Sequence, residues 1–375
     1  MNFRRFVPCL VLPVLLTGPG SLLGQEESAG PETTIAVLGS SVAAGWVTSY
    51  EAKHDLQNGY AARLGRLLED RGFKLVNVSI PGNTTSDVLA RMNRDLEPLA
   101  PDIVLIGLSL ANEGLEDDRD AAVETYLKNL PEIVDRCNEA GWIPVVGLCY
   151  PYDGYDATDY AALKQVNLAI EGFDVATINL LGALDDGTGQ FVEGYTYDEG
   201  HPDNRGHDEM FLSIVPSLFE SLLDGVPAPA RPGDDGCSQV AGGSGHSAFV
   251  YVPEDVVHSF SLGFSIRTKE SGAVAAVHAD TGPLLVSIVT KGCLNVKSSQ
   301  EGAVTGQPQL TDGTWHDILL CHRYLQGKLL VFVDGAFAGE PGPEYRGRPL
   351  RAGHAGAGAG EPRGEDRSGP GRTRE

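Results

Sequence analysis

Two short stretches, far apart in the chain, hold the side-chain types that nucleophilic chemistry requires. The aliphatic run Thr34-Ile35-Ala36-Val37-Leu38 ends in Gly39-Ser40-Ser41 and gives way to Val42-Ala43-Ala44-Gly45. A β-branched run that ends in this way places a serine hydroxyl on a tight turn at the tip of a strand. Such a hydroxyl attacks a carbonyl only once a neighbouring base takes its proton. Downstream, Asp198-Glu199-Gly200-His201-Pro202 brings a carboxylate and an imidazole onto one turn. The carboxylate can hold one ring nitrogen, fix the tautomer and leave the other nitrogen for the serine. The chemistry predicted is hydrolysis through a serine nucleophile, Ser41, with Ser40 competing for the role. Taken singly, each residue has a plainer reading, as a turn serine or a loop histidine.

The elements that must position these residues show in the hydrophobic pattern. Apolar runs at Ile35-Leu38, Leu75-Ser79, Ile103-Leu108, Ile143-Leu148 and Val175-Leu180 alternate with helical periodicity. That periodicity covers Tyr60 to Leu68, Val88 to Leu96, Ala121 to Cys137, Tyr160 to Ile170 and Met210 to Leu222. The alternation predicts an α/β fold in which helices cover both faces of a parallel sheet, with ligands bound beyond the carboxyl ends of the strands. Ser41, Gly82, Asn112 and the segment Tyr150 to Tyr160 all follow such strands. Tyr150 and Tyr152 could floor a sugar or an apolar acyl group, or could sit on a solvated loop.

The pattern changes after residues 225–245, a linker rich in Pro, Gly, Asp and Ser. Phe260, Leu262, Phe264 and Ile266 then alternate with small residues, and Leu284-Val289, Trp315-Cys321 and Leu329-Val333 read as further strands between glycine turns. This predicts an all-β sandwich over 246–340. Over 341–375 the composition turns to Arg, Gly, Pro and Ala with almost no aliphatic residue and predicts a disordered tail. The linker holds few residues able to build a shared interface, so the halves are expected to be separable.

Composition narrows the function. Arg4 and Arg5, the apolar run Phe6 to Leu16 and small residues up to Gly24 make residues 1–24 a secretory signal peptide. The run is shorter than the roughly 20 apolar residues of a membrane span. No later segment is long and apolar enough for stable membrane insertion, and the expected location is extracellular. A formal net charge of -23 disfavours nucleic acid and anionic lipid and suits a neutral substrate. Beyond the signal lie Cys137, Cys149, Cys237, Cys293 and Cys321. Either one bridge, such as Cys293 to Cys321, or buried free thiols would account for them.

On these motifs the first half, 31–224, resembles the SGNH, or GDSL-like, hydrolase family. Gly39-Ser40-Ser41 with Gly45 matches the first block, with Ser40 in place of the usual aspartate. Gly82 in Pro81-Gly82-Asn83 matches the second block and Asn112 in Leu110-Ala111-Asn112-Glu113 the third; Asp198 and His201 with Pro202 match the last. The resemblance implies a flavodoxin-like three-layer α/β/α fold with Ser41, Asp198 and His201 as catalytic triad. It also implies an oxyanion hole from the Ser41 and Gly82 N–H groups and the Asn112 amide, and an acyl-serine intermediate without metal or other cofactor. Gly82 as a turn glycine and Asn112 as a helix cap are the structural alternatives.

The second half resembles the laminin-G/concanavalin-like sandwich through Phe260 to Thr268, Asp312-Gly313-Thr314-Trp315-His316 and Val331-Phe332-Val333-Asp334-Gly335. This implies a carbohydrate ligand. The function expected is a secreted esterase acting on O-acetyl or short acyl esters of carbohydrate. A lipase or thioesterase and an inactive adhesion protein are the alternatives. A phosphate-binding loop is excluded, since no Lys-Ser or Lys-Thr follows Gly45.

Overall fold

The structure, a computed structural model, describes residues 33–46, 56–225, 258–277, 284–289, 292–297 and 309–340. The signal-peptide segment 1–24, the linker beyond Gly225 and the tail 341–375 lie outside the described residues.

Five strands form a parallel sheet: β1 (Thr33–Gly39), β2 (Phe73–Asn77), β3 (Ile103–Gly107), β4 (Ile143–Gly147) and β5 (Ala176–Ile178). Their order is β2-β1-β3-β4-β5, which is the flavodoxin-like order. The central strands read as unbroken apolar runs because both faces are covered, and successive side chains go to opposite sides. Ala36, Leu38, Val104, Ile106 and Val146 join one core. Ile35, Val37, Ile103, Leu105, Val145 and Ile178 join the other.

The first core is closed by α3 (Thr85–Leu96), α4 (Arg119–Glu139) and α5 (Ala157–Ile170). The second is closed by α1 (Ser41–Ala44), α2 (Tyr60–Glu69), α6 (Leu180–Leu184), α7 (Asn204–Phe211) and α8 (Ser217–Leu223). Leu64 and Leu68, one turn apart on α2, are wholly buried. Burial of each stabilises the fold by about 1.5–3 kcal/mol. The helix starts are written in the sequence: Thr84 and Asp87 form a capping box on α3, and Asp156 and Asp159 form one on α5. The single helical pattern expected over Met210 to Leu222 is instead two helices, because Pro216 lacks the N–H that a continuing helix would need and serves as the cap of α8.

The second half contains two antiparallel sheets. One is β11-β10-β9, made of β9 (Gly272–Val277), β10 (Leu284–Val289) and β11 (Cys293–Lys297). The other is β14-β13-β12-β8, made of β8 (Phe260–Ile266), β12 (His316–Arg323), β13 (Lys328–Val333) and β14 (Ala336–Gly339). Alternate residues of β8 and β12 turn inward, and Ile318, Leu320, Val331 and Val333 form one apolar cluster with Leu294 and Val296 of β11. No disulfide joins Cys293 to Cys321, so the bridge between them does not form.

This half touches the first. Leu325, in the turn between β12 and β13, packs on the core that holds α6 and α7. Next to it the Gln326 side chain donates to the Asp185 carbonyl at 2.6 Å, and His258 Nδ1 lies 2.6 Å from Glu209 Oε2 on α7.

Candidate active site

Gly39 and Gly107 stand side by side where the strand order reverses between β1 and β3, the crevice in which sheets of this kind bind ligands. Neither tolerates a side chain. A Cβ on Gly39 would fall 2.1 Å from the Gly107 carbonyl, and one on Gly107 would fall 2.6 Å from the Tyr60 hydroxyl. This close approach lets β1 turn at once into α1. Ser40 caps α1 and is fully buried, with its N–H bonded to the Gly107 carbonyl. Ser41 opens the helix, where first-turn N–H groups have no intrahelical partner. Of the two serines, only Ser41 meets an imidazole.

That imidazole arrives on a short hairpin, β6 (Thr196–Asp198) and β7 (His201–Pro202). His201 Nε2 is 3.0 Å from Ser41 Oγ, and His201 Nδ1 is 2.7 Å from Asp198 Oδ1. The same carboxylate oxygen accepts the Gly200 N–H at 3.0 Å, which fixes its direction. The structure thus brings Ser41, His201 and Asp198 into one line. In this line the ring can take the serine proton while the carboxylate holds the tautomer and balances the imidazolium that forms.

Gly82 lies in the loop after β2 with φ of 78°, a left-handed conformation that favours glycine. Asn112 lies in a 3-10 turn, Ala111–Glu113, after β3. Its amide donates to the Asn83 carbonyl at 3.1 Å and so ties the two loops together. An amide carries two N–H bonds, so one remains for a second acceptor. Glu113 accepts the Thr85 N–H at 2.5 Å at the start of α3, and burial holds its carboxyl above the usual range despite that bond.

Tyr150 requires a correction. It is 3% exposed and lies in the second core, so it offers no floor to a substrate. Burial pushes its phenol up to about 12. Its place is beneath the nucleophile turn. A tyrosine after a strand carries no sign in the sequence of which way it faces, so neither the substrate floor nor the solvated loop expected of Tyr150 holds. Tyr152 is half-buried, and its ring packs where a Gly200 Cβ would be, at 3.2 Å. It therefore braces the loop between Asp198 and His201. Burial and the Glu116 carboxylate both raise its phenol.

Two residues that sequence reasoning passed over support the site. His207 is wholly buried in α7, where Nδ1 accepts the Tyr60 N–H at 3.2 Å. Burial drives its pKa down to about 3, so it is neutral in the fold, and its place in α7 keeps it out of the line that reaches Ser41. Arg91 of α3 is 6% exposed and was not singled out. Its signal was present, as a charged residue on the apolar stripe formed by Val88, Met92 and Leu96. Among the described residues, no group of three His, Cys, Asp or Glu is placed to hold a metal ion, and no helix is long and apolar enough to cross a membrane.

Residues 37–209 match the family described as GDSL-like Lipase/Acylhydrolase. Solved structures are similar to about half of the chain. One is the psychrotrophic esterase EstA from Pseudoalteromonas sp., at 22% identity over 52% of this chain and 98% of that one, with a TM-score of 0.40. Another is a variant of an acetyl-xylooligosaccharide esterase from Geobacillus Stearmophilus, at 20% identity over 49% and 93%, with a TM-score of 0.40. A third is a member of the lipolytic protein G-D-S-L family from Veillonella parvula DSM 2008, at 14% identity over 50% and 97%, with a TM-score of 0.40. No curated protein matches the chain. The match over residues 37–209 supports the GDSL-like lipase/acylhydrolase family for the N-terminal region, and the protein is a carboxylic-ester hydrolase.

Proposed function

We propose that the protein is a secreted serine esterase that removes O-acetyl or other short acyl groups from neutral, carbohydrate-like alcohols. The observation that carries the reading is the line from Asp198 through His201 to Ser41. Ser41 attacks the ester carbonyl as His201 takes its proton. The oxyanion is received by the Ser41 and Gly82 N–H groups and the free N–H of Asn112, and the alcohol leaves with the proton from His201. Water then repeats the sequence on the acyl-serine.

A short acyl group suits the described surroundings of Ser41. On the loops of the proposed site Gly82, Asn83, Asn112 and Gly200 are small or polar, Tyr150 and Tyr155 are withdrawn into the cores, and Trp46, whose N–H donates to the Ser41 carbonyl, supplies one large apolar side chain after α1. A long acyl chain would require an apolar channel instead. The net charge of -23 favours a neutral alcohol. Secretion rests on the composition of residues 1–24. The second half is proposed as an accessory sandwich of laminin-G/concanavalin type that binds carbohydrate, supported by two antiparallel sheets with a common apolar cluster.

The test is a panel of p-nitrophenyl acetate, butyrate and octanoate beside acetylated xylo-oligosaccharides, with a fluorophosphonate to label the nucleophile. We expect labelling at Ser41, kcat/KM highest for acetate, and acetate release from the sugars. A kcat/KM that rises towards octanoate would overturn the short-acyl reading.

A further inference from the structure

Arg91 makes an unusual set of contacts for a buried cation. Its Nη1 donates to the Val78 carbonyl at 2.7 Å and to Asp95 Oδ2 at 2.8 Å. Its Nη2 donates to the Gly39 carbonyl at 3.2 Å, and its Nε donates to Asn83 Oδ1 at 2.6 Å. Gly39 ends the strand that carries Ser41, Val78 lies just past the end of β2, and Asn83 follows Gly82. One side chain therefore spans the nucleophile turn and the loop bearing the second oxyanion donor. Asp95, one turn along α3, balances the charge. The planar guanidinium fork fixes several acceptors at set angles, which an ammonium cannot do.

Asn83 is the point at which two constraints meet. Its side-chain oxygen takes Arg91, and its main-chain carbonyl takes the Asn112 amide at 3.1 Å. Moving Asn83 shifts the Gly82 N–H and the Asn112 amide together. We infer that Arg91, acting through Asn83, is a positioning residue that sets the oxyanion donors of Gly82 and Asn112 relative to Ser41. The inference rests on the oxyanion roles given above. Donors of this kind act only if aimed at the oxyanion before the reaction, so a loosened loop weakens transition-state binding and leaves ground-state binding nearly unchanged. Stability alone does not require this arrangement, since Asn83 is a half-buried loop residue whose side chain packs into neither core.

The test uses the full-length protein with Asn83→Ala, Asn83→Asp and Arg91→Lys. Activity is expressed per active site titrated with fluorophosphonate, alongside Tm and the affinity for a boronic-acid transition-state analogue. Asn83→Ala removes only the Arg91 link and should lower kcat by about 10–100-fold at unchanged KM, with analogue affinity falling in parallel. Asn83→Asp restores an acceptor for Arg91 and should stay within about threefold of wild type on the same scale. Both variants remove the Asn83-Thr84-Thr85 sequon, so a glycan cannot explain the difference between them. Arg91→Lys should lose at least as much kcat as Asn83→Ala, with the acid limb of the pH profile unmoved. Equal kcat in Asn83→Ala and wild type, or equal losses in Asn83→Ala and Asn83→Asp, would overturn the inference. A wild-type protein that takes no label and hydrolyses no ester would instead overturn the catalytic reading itself.

Discussion

The Nε2 of His201 stands 3.0 Å from the hydroxyl of Ser41, while Ser40, one residue earlier, is sealed into the protein with no access to that ring. Two adjacent serines thus have unlike fates. Replacing Ser41 by Ala should lower kcat by roughly 10⁴–10⁶-fold with Tm nearly unchanged. Ser40→Ala should retain turnover within about tenfold, because its Oγ takes no part in proton transfer. Mass spectrometry of the fluorophosphonate adduct decides between them, and an adduct on Ser40 would reverse the assignment.

His201→Ala should approach Ser41→Ala in severity, since both abolish the same proton transfer. Asp198→Asn should be milder. The Asp198 side chain is 46% exposed, so solvent already shares its work of balancing the imidazolium. Steady-state kinetics of the pair on p-nitrophenyl acetate check the order.

Asn112→Ala should cost on the order of 10²–10³ in kcat with little change in KM, as loss of a donor aimed at the transition state does. A rise in KM at constant kcat would show instead that the amide holds the ground-state substrate.

His207 gives the protein an acid limb of stability. Its ordinary pKa is 6.5 and burial lowers it to about 3 in the fold, so below pH 6.5 the unfolded chain takes up a proton that the folded chain refuses. Its effect is nil above 6.5 and removes stability as pH falls from 6.5 towards 3, by up to about 1.4 kcal/mol per pH unit. His207→Asn keeps an acceptor for the Tyr60 N–H without the titration. Urea unfolding across this range should show a shallower acid slope in the variant, at some loss of stability at pH 7.

Ending the chain at Gly225 removes Leu325, Gln326 and His258 from the surface formed by α6 and α7. Sequence composition alone predicts separable halves, since no interface shows in the linker. The interface lies in a hairpin turn instead. We predict a lower Tm for the shortened protein, by about 2–4 °C for each kcal/mol lost, and reduced turnover. Leu325→Ala in the full chain should cost about 1–2 kcal/mol. An unchanged Tm in both would show that the contact contributes nothing.

The parallel sheet was legible because Ile35 to Leu38 and Ile103 to Leu108 must be apolar on both faces, a demand that few other placements make. Ser41, His201 and Asp198 were legible as the proposed set because their types and order survive any shift in loop shape, and the fold brings them within hydrogen-bond reach. Burial was harder to read. Tyr150 and Tyr152 belong to one short run, yet the first is core and the second flanks the base, since a loop has no periodicity to say which way each side chain points. Arg91 was missed for the same kind of reason, because its four acceptors come from three separate segments and include main-chain carbonyls, which carry no mark in the sequence. In the second half, β9 consists of Gly, Ala and Val and has none of the large alternation that revealed β8.

The wedge formed by Leu325 and Gln326 also sets an order in time. Asp185 meets Gln326 across 141 residues, and the whole of β8 to β12 must be made before that turn exists. Ser41, Asp198 and His201 all leave the ribosome earlier. At roughly 5–20 residues per second, the apolar surface awaiting Leu325 stays open for several seconds after the triad has been synthesised. The nascent chain then holds every residue of the proposed site while the apolar surface of α6 and α7 still lacks its cover.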